Sequence, residues 1–370
     1  MDFTLSEEQE MLRRLARDFL SANCPSSLVR KIAKREADLN PELWRNMAQM
    51  GWMGIIVPEQ YGGMGGSFLD MVILLEETGY ACLPSPFFSG LIGSIALYEM
   101  GNDKQKQELL PRIVQGELMI TLAFTEPKAR YDDQGIATKA VLEGNKYTIN
   151  GTKLFVSDAH RADYLVCPAR SGKGITVFLL ETRSPGISCT PLNTIAGDRQ
   201  YEVLLDKVSA SKENILGKAG KGWNALQSVM RKATVAKCAE MVGGAQKALD
   251  MTLDYAKERK QFGRPIGSFQ AIQHYCANMA IDVDAARFIN RETAWNLNNG
   301  QANVKGVAVA KTFVSDAFIR VTTIAHQIHG AIGTTEDHEL PLYSKNAIAS
   351  RALFGDPSFH REIVAQEIGL

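Results

Sequence analysis

The chain has 370 residues with 41 basic and 41 acidic side chains, so its formal net charge at pH 7 is zero. A balanced chain has no summed field that would hold a polyanion or an anionic membrane surface, which argues against nucleic acid as a partner. The length corresponds to about two to three domains, and 45% hydrophobic with 22% charged residues is ordinary for a globular protein.

Three features concern the location of the protein. The first ten residues are acidic, unlike the basic and then apolar start of an export signal. The uncharged stretch from Thr78 to Tyr98 contains prolines and glycines, so we interpret it as a loop entering a buried helix and expect no membrane span. The six cysteines are scattered without metal-site spacing, which predicts reduced thiols, no metal site and a cytoplasmic location.

The first third of the chain has helical periodicity. Apolar residues recur at helical spacing from Met11 to Leu20, and Ser6 with Gln9 makes a predicted capping box at the start of this helix. Glycine- and proline-rich links separate further predicted helices at 41–50, 67–80, 89–100 and 103–115.

After residue 119 the pattern changes to short β-branched or alternating runs, which predict a small β-domain with strands at 120–124, 146–150, 164–167, 175–180 and 201–205. The helical period then returns, and four long helices after a β-insert favour a bundle, with helices at 223–259, 268–298, 304–329 and 341–354. The predicted domains are therefore an N-terminal helical domain (1–119), a central β-domain (120–216) and a C-terminal helical bundle (217–370).

Four sequence blocks resemble those of the acyl-CoA dehydrogenase family. They are Thr125-Glu126-Pro127 (T-E-P in the family), Asn150 to Ser157 (N-G-x-K-x-W-I-T), Arg259 to Ile266 (R-x-x-F-G-x-P-I) and Gln327 to Gly333 (Q-x-x-G-G-x-G). They occur in the family's order along essentially the whole chain. The resemblance implies a mainly α protein with a β insert: an N-terminal helical domain, a central small β-barrel domain and a C-terminal four-helix bundle.

The resemblance also implies FAD as the cofactor. In the family, a flavin receives hydroxyl donors and an aromatic face from the positions that match Thr125, Phe155 and Ser157. Serine and phenylalanine here replace the usual threonine and tryptophan, which preserves a hydroxyl and an aromatic surface. Taken without the resemblance, Phe155 in a strand is a core residue and Ser157 a turn hydroxyl.

Further residues are implied for the rest of the dinucleotide. Arg259 would offer its guanidinium to the pyrophosphate, with Phe262 and Gln270 near the adenosine half. The family's glycine block would reach the FAD of a neighbouring subunit and so implies an oligomer; its members here are Gln327, Gly330 and Gly333. Without the resemblance, the arginine is a solvated surface residue and the glycines are a helix cap.

The sequence departs from the family at the catalytic base. Family members remove an α-proton with a carboxylate, often the glutamate of a Y-E-G-T block, and that position holds Phe354 here; a second family position aligns with Ala233. Two carboxylates lie near these places. Asp356 is the preferred candidate base, and Glu240 is weaker because two helical turns, about 10.5 Å, separate it from Ala233. Asp356 is equally well explained as a helix-terminal aspartate before Pro357.

The leading functional hypothesis is FAD-dependent dehydrogenation of an acyl-CoA to a 2,3-enoyl-CoA, with a branched, cyclic or dicarboxylic acyl group because the base region is unusual. Electrons would pass to an electron-transfer flavoprotein. One alternative is a non-catalytic partner subunit in a hetero-oligomer with a paralogue, and another is a related flavin monooxygenase. Lys128 and Arg130, in place of small residues after the T-E-P block, would meet a CoA phosphate or, as we favour, solvent.

Overall fold

We analysed a computed structural model of the chain, which describes residues 4–172 and 174–370. The chain divides into two compact units. One, called here the bundle unit, comprises the chain up to Asp38 together with Phe68–Pro84 and Lys232–Leu370; the other, the sheet unit, comprises Leu39–Ser67 and Ser85–Arg231. Within the described ranges, no helix is both long and apolar enough to cross a membrane. The domain boundaries at residues 119 and 216 stay a prediction.

The helices follow the periodicity of the sequence and account for most of the chain. In chain order they are α1 (Glu7–Asn23), α2 (Ser26–Ala33), α3 (Pro41–Gln49), α4 (Phe68–Tyr80), α5 (Phe87–Met100), α6 (Asp103–Val114), α7 (Trp223–Glu258), α8 (Gln270–Asn298), α9 (Val304–His329), α10 (Leu340–Ala352) and α11 (Pro357–Glu367). The predicted capping box is confirmed: the Gln9 amide donates to Ser6 Oγ, and the Ser6 amide donates to Gln9 Oε1.

The bundle unit is built around α7, α8, α9 and α10, which bury a common apolar core. Met241 of α7, Met279 of α8 and Phe318 of α9 are almost completely excluded from solvent within it. This arrangement confirms the predicted bundle. Two short helices, α2 with 8 residues and α11 with 11, were not separately predicted, because so few turns give only a weak apolar period.

Two glycines allow α4 and α7 to approach each other closely. A Cβ atom on Gly79 would lie 2.0 Å from the Glu240 carbonyl oxygen, and one on Gly243 would lie 1.8 Å from the Glu76 carbonyl oxygen. Because neither glycine has a side chain, the two backbones pack directly against each other. The contact fixes the backbone of Glu240, one of the two candidate bases, against α4.

The sheet unit contains an eight-stranded sheet with the order β6-β7-β3-β2-β4-β5-β8, in which β1 pairs in parallel with β4. Its strands are β1 (Ile120–Leu122), β2 (Lys139–Glu143), β3 (Lys146–Ser157), β4 (Tyr164–Ser171), β5 (Gly174–Glu181), β6 (Ile187–Pro191), β7 (Gln200–Ser211) and β8 (Ile215–Leu216). The five predicted strands all lie within this sheet, and β2, β6 and β8 are additional. A short hairpin, β9 (Lys260–Gln261) and β10 (Arg264–Pro265), follows α7.

We expect Gly243→Ala to destabilise the protein by about 1–3 kcal/mol, the usual cost of forcing extra volume into a packed contact. The control is Gly90→Ala in α5, where the nearest atom to an added Cβ is 3.8 Å away and a small stabilisation of up to about 1 kcal/mol is expected. Urea unfolding measures both changes. Equal stabilities for the Gly243→Ala variant and the parent would contradict the close backbone contact.

Candidate functional site

A β-bulge near the end of β3 presents an aromatic ring beside Thr125. The register between β3 and β7 shifts between Lys153 and Val156, and the Leu154 amide donates to the Thr125 carbonyl at 2.8 Å instead of to β7. Phe155 has a φ of 53°, and its side chain is 50% exposed. A bulge re-aims the side chain of its extra residue, so the ring of Phe155 lies on the surface rather than in the core.

Polar groups follow this ring along the strand. Ser157 Oγ accepts a hydrogen bond from Gln200 Nε2 at 3.1 Å, and Gln200 Oε1 is buried without a partner among the described residues. An exposed aromatic face next to hydroxyl and amide groups suits a flat heteroaromatic group with polar edges. Phe155 and Ser157 thus lie on the same strand, and the Leu154–Thr125 backbone bond brings the segment of Thr125 next to it. The residue types present fit the flavin ring that the resemblance implies.

A buried ion pair fixes the two segments that carry these residues. Lys153 Nζ donates to Glu126 Oε1 and to the Pro168 carbonyl, both at 2.7 Å. The Glu126 carboxylate also accepts from the Ala137 amide at 2.7 Å and from the Thr138 hydroxyl at 2.7 Å. Lys153 is fully buried and Glu126 is 4% exposed, so both charges depend on these bonds.

The ion pair was not predicted, although the sequence contains a signal for it. Lys153 has the same parity as Tyr147 and Ile149, which are buried on the inner face of β3. Strand alternation therefore directs the lysine inward. A lysine at a core position needs an acidic partner, and Glu126 of the T-E-P block is that partner.

The segment after α7 exposes the residues implied for the dinucleotide. Phe262 and Gly263 form the two-residue turn of the β9–β10 hairpin, and both have positive φ, as a type I′ turn requires. The turn leaves the side chain of Phe262 94% exposed. Arg259, at the end of α7, and Gln270, at the start of α8, are also exposed, so this segment offers an aromatic ring, a guanidinium and an amide to a ligand.

The glycine block lies at the end of α9. Gln327 is exposed, Gly330 ends the helix with a φ of 62°, and Gly333 is buried against His329. The ring of His329 stacks on that of Tyr255 with 4.5 Å between centroids, which places the end of α7 next to the end of α9. Burial lowers the pKa of His329, so this imidazole is neutral at pH 7 and adds no positive charge to the segment.

The two candidate bases have different surroundings. Asp356 is exposed and caps α11, where its Oδ1 accepts from the Phe359 amide at 2.8 Å. Glu240 is mostly buried; its carboxylate forms an ion pair with Lys237, and Thr78 Oγ1 lies 3.5 Å from it. Asp356 thus retains one carboxylate oxygen for other partners, whereas the charge of Glu240 is neutralised inside the bundle unit.

The basic loop after the T-E-P block contains an ion pair between two of its own residues. Arg130 forms an ion pair with Asp132 and is exposed, and Lys128 is exposed too. Tyr131, where the family has a serine, stacks on Phe124 with ring centroids 6.0 Å apart. Across the described ranges, no group of three or more His, Cys, Asp or Glu residues could hold a metal ion.

Three family profiles match successive parts of the chain. "Acyl-CoA dehydrogenase, N-terminal domain" matches residues 6–117, the middle domain matches 121–208 and the C-terminal domain matches 220–369. These profiles cover the segments in which the four sequence blocks lie.

Individual relatives match over nearly the whole chain. The acryloyl-CoA reductase (NADH) of Anaerotignum propionicum is 34% identical over 100% of this chain and 96% of its own length. Subunit CarC of the caffeyl-CoA reductase-Etf complex of Acetobacterium woodii is 30% identical over 90% of this chain and 91% of its own. The structure of glutaryl-coenzyme A dehydrogenase with glutaryl-CoA superposes with a TM-score of 0.94 at 28% identity, covering 100% and 97% of the two chains.

We expect Lys153→Met to destabilise the protein by about 3–5 kcal/mol, because the substitution leaves the carboxylate of Glu126 buried without its cation. Lys146→Met is the control, since Lys146 is exposed at the start of the same strand and a change there costs no more than about 0.5 kcal/mol. Thermal unfolding compares the two variants. Similar losses for both would show that the ion pair does not stabilise the sheet unit.

Proposed function

Because the chain belongs to the acyl-CoA dehydrogenase family, whose members bind FAD and act as oxidoreductases on CH–CH bonds, we propose that it interconverts an acyl-CoA thioester and its 2,3-enoyl-CoA. The observation that carries the proposal is the β3 bulge, where Phe155 is exposed two residues before Ser157 and the neighbouring Leu154 amide donates to the Thr125 carbonyl. Exposing an aromatic ring to water is unfavourable, and a left-handed φ is unfavourable for a bulky residue. A ligand that covers the ring would offset these costs.

The family resemblance supplies proposed FAD partners in each compact unit, considered separately. When bound, FAD accepts or returns the hydride at the β-carbon of the substrate. Thr125, Phe155 and Ser157 would hold its ring system, and Arg259 its pyrophosphate. The remaining contacts would come from other residues of the bundle unit: Phe262 and Gln270 for the adenosine half, and Gln327, Gly330 and Gly333 for the FAD of a second subunit.

We assign the α-proton transfer to Asp356. A general base must be accessible to substrate and have an oxygen available for the proton, and the exposed Asp356 has one carboxylate oxygen outside its helix-capping bond. Glu240 meets these two conditions less well than Asp356 does, since it is mostly buried and paired with Lys237. Glu240 remains the alternative base.

The substrate class follows from Phe354, which stands where many family members have glutamate. Its half-buried aromatic ring, two residues before Asp356, makes the base region unlike that of these family members. We therefore propose a branched, cyclic or dicarboxylic acyl group. We further propose an electron-transfer flavoprotein as the redox partner, because a full-length relative is a subunit of a caffeyl-CoA reductase-Etf complex.

Phe354 also favours a second candidate function. If a paralogue supplies the base, this chain completes the FAD site of a hetero-oligomer without doing chemistry itself. The acidic residue is absent at both family positions, Ala233 and Phe354, which supports this alternative. Anaerobic titration of the purified protein with a panel of acyl-CoA thioesters separates the two functions.

In this titration we expect a yellow protein whose flavin is bleached by at least one thioester. Asp356→Asn should retain FAD and bind the same thioester but reduce the flavin about 10²–10⁴-fold more slowly, which is the usual contribution of a positioned general base. Glu240→Gln is the matched control and should stay within a few fold of the parent. The opposite result would move the base to Glu240, and a flavin that no thioester bleaches would favour the partner-subunit function.

We propose that copies of the chain, or of the chain and a paralogue, associate through α8. Ile281, Phe288 and Trp295 are exposed on this helix and lie seven residues apart, which places them along one face. Such a stripe of large apolar side chains is typical of a helix that packs against another subunit. The proposed contribution of Gln327, Gly330 and Gly333 to a neighbour's FAD requires an oligomer as well.

We expect the purified protein to be a dimer or tetramer and Ile281→Glu to shift it toward monomers, because a charge would be buried in an apolar contact. Met11→Glu is the control: Met11 is similarly exposed, but on α1. Light scattering coupled to size-exclusion chromatography measures both masses. An unchanged mass for Ile281→Glu, or a parent that is monomeric at all concentrations, would refute association through α8.

A further inference from the structure

Lys311 is a fully buried lysine in the middle of α9, and the proposed chemistry does not use it. Its Nζ lies 3.2 Å from Ser315 Oγ, 3.0 Å from the Ser350 carbonyl oxygen and 2.9 Å from the Arg351 carbonyl oxygen. These three acceptors match the three N–H bonds of an ammonium group. Burial lowers the pKa of Lys311 to about 8, so the ammonium form still predominates at pH 7.

The two carbonyl acceptors belong to the last turn of α10, which ends at Ala352. The final carbonyls of a helix have no partner within the helix and must be satisfied from outside. Lys311 satisfies two of them and thereby ties the end of α10 to α9. The positive charge of the ammonium also lies at the negative end of the helix dipole, which is a favourable interaction.

The chain then makes a tight turn before α11, and His360 holds this turn from the other side. Phe354 and Gly355 have φ values of 59° and 96°, and a Cβ atom on Gly355 would lie 2.9 Å from His360 Nε2. This nitrogen lies 3.0 Å from the Phe354 carbonyl oxygen. Burial lowers the pKa of His360 to about 4, so the ring is neutral and its single N–H is directed to that carbonyl.

We propose that Lys311 and His360 are positioning residues that hold the turn 353–356 and so determine where Phe354 and Asp356 meet the acyl group. The inference rests on the proposed function, because it assigns the turn to the substrate side of the site. Neither residue touches the reacting atoms. They act through the backbone, one by binding the end of α10 and the other by binding the carbonyl inside the turn.

A purely structural role makes a different prediction from a positioning role. If Lys311 only stabilised the fold, its loss would lower the amount of folded, FAD-loaded protein but leave the rate of each loaded molecule unchanged. If it positions the turn, the rate per bound FAD falls even where folding is complete, because a displacement of about 1 Å can slow a reaction on the order of 10²-fold. The rate of flavin reduction per bound FAD is therefore the decisive readout.

The test compares Lys311→Met with Lys305→Met, whose lysine is exposed near the start of the same helix. In anaerobic stopped-flow measurements with the thioester that bleaches the parent, we expect Lys311→Met to reduce its bound FAD 10- to 100-fold more slowly at saturation. Its thioester affinity should change by less than about threefold, since no contact with CoA is removed. Lys305→Met should match the parent.

His360→Leu is a second, independent variant in case Lys311→Met does not fold, and it should show the same loss of rate per bound FAD. Parental rates in both folded variants, or in His360→Leu alone when Lys311→Met is insoluble, would overturn the inference and leave the proposed function intact. A parent that no thioester bleaches would instead overturn the proposed function, and this inference with it.

Discussion

A buried ammonium group must direct its N–H bonds to acceptors, and each compact unit, taken by itself, contains one such group near residues with a proposed role. In the sheet unit, Lys153 donates hydrogen bonds to the Glu126 carboxylate and to the Pro168 carbonyl. In the bundle unit, Lys311 donates hydrogen bonds to two carbonyls in the last turn of α10. An unsatisfied charge inside a protein is costly, so chain segments that supply the acceptors have little freedom to move.

The ion pair of the sheet unit affects mainly the residues next to it in sequence, which include Thr125 and Phe155. Glu126 directly follows Thr125, and Lys153 directly precedes the bulge that exposes Phe155. The ion pair therefore holds the backbone next to Thr125 and the backbone that leads into the bulge. This is how a site for a rigid, flat cofactor can be prepared before the cofactor arrives, which lowers the entropic cost of binding it.

Most of the fold could be predicted from the sequence because it depends on local periodicity. The capping box at Ser6 and the long helices of the bundle unit follow from spacing alone, and the structure confirms them. The bulge could not be predicted, since it arises from pairing of β3 with β7 and from the Thr125 carbonyl, both distant in sequence. Lys311 was predictable in principle, because it lies on the helical face of Val307, Val314 and Phe318.

Three phenylalanines in segments with a proposed role share a strained backbone conformation. Phe155, Phe262 and Phe354 each have φ between 53° and 59°, a conformation that bulky side chains rarely adopt and that costs on the order of 1–3 kcal/mol at each position. Each phenylalanine stands within or beside a segment to which we assign the flavin, the adenosine half or the acyl group. Under the proposed function, each of these rings would cover a flat face of a ligand or bound a pocket, and that contact would offset the cost of the strain. At the tight turn, Lys311 binds the Arg351 carbonyl before Phe354, and His360 binds the carbonyl of Phe354 itself. In our proposal these two contacts hold the strained backbone of Phe354 in place.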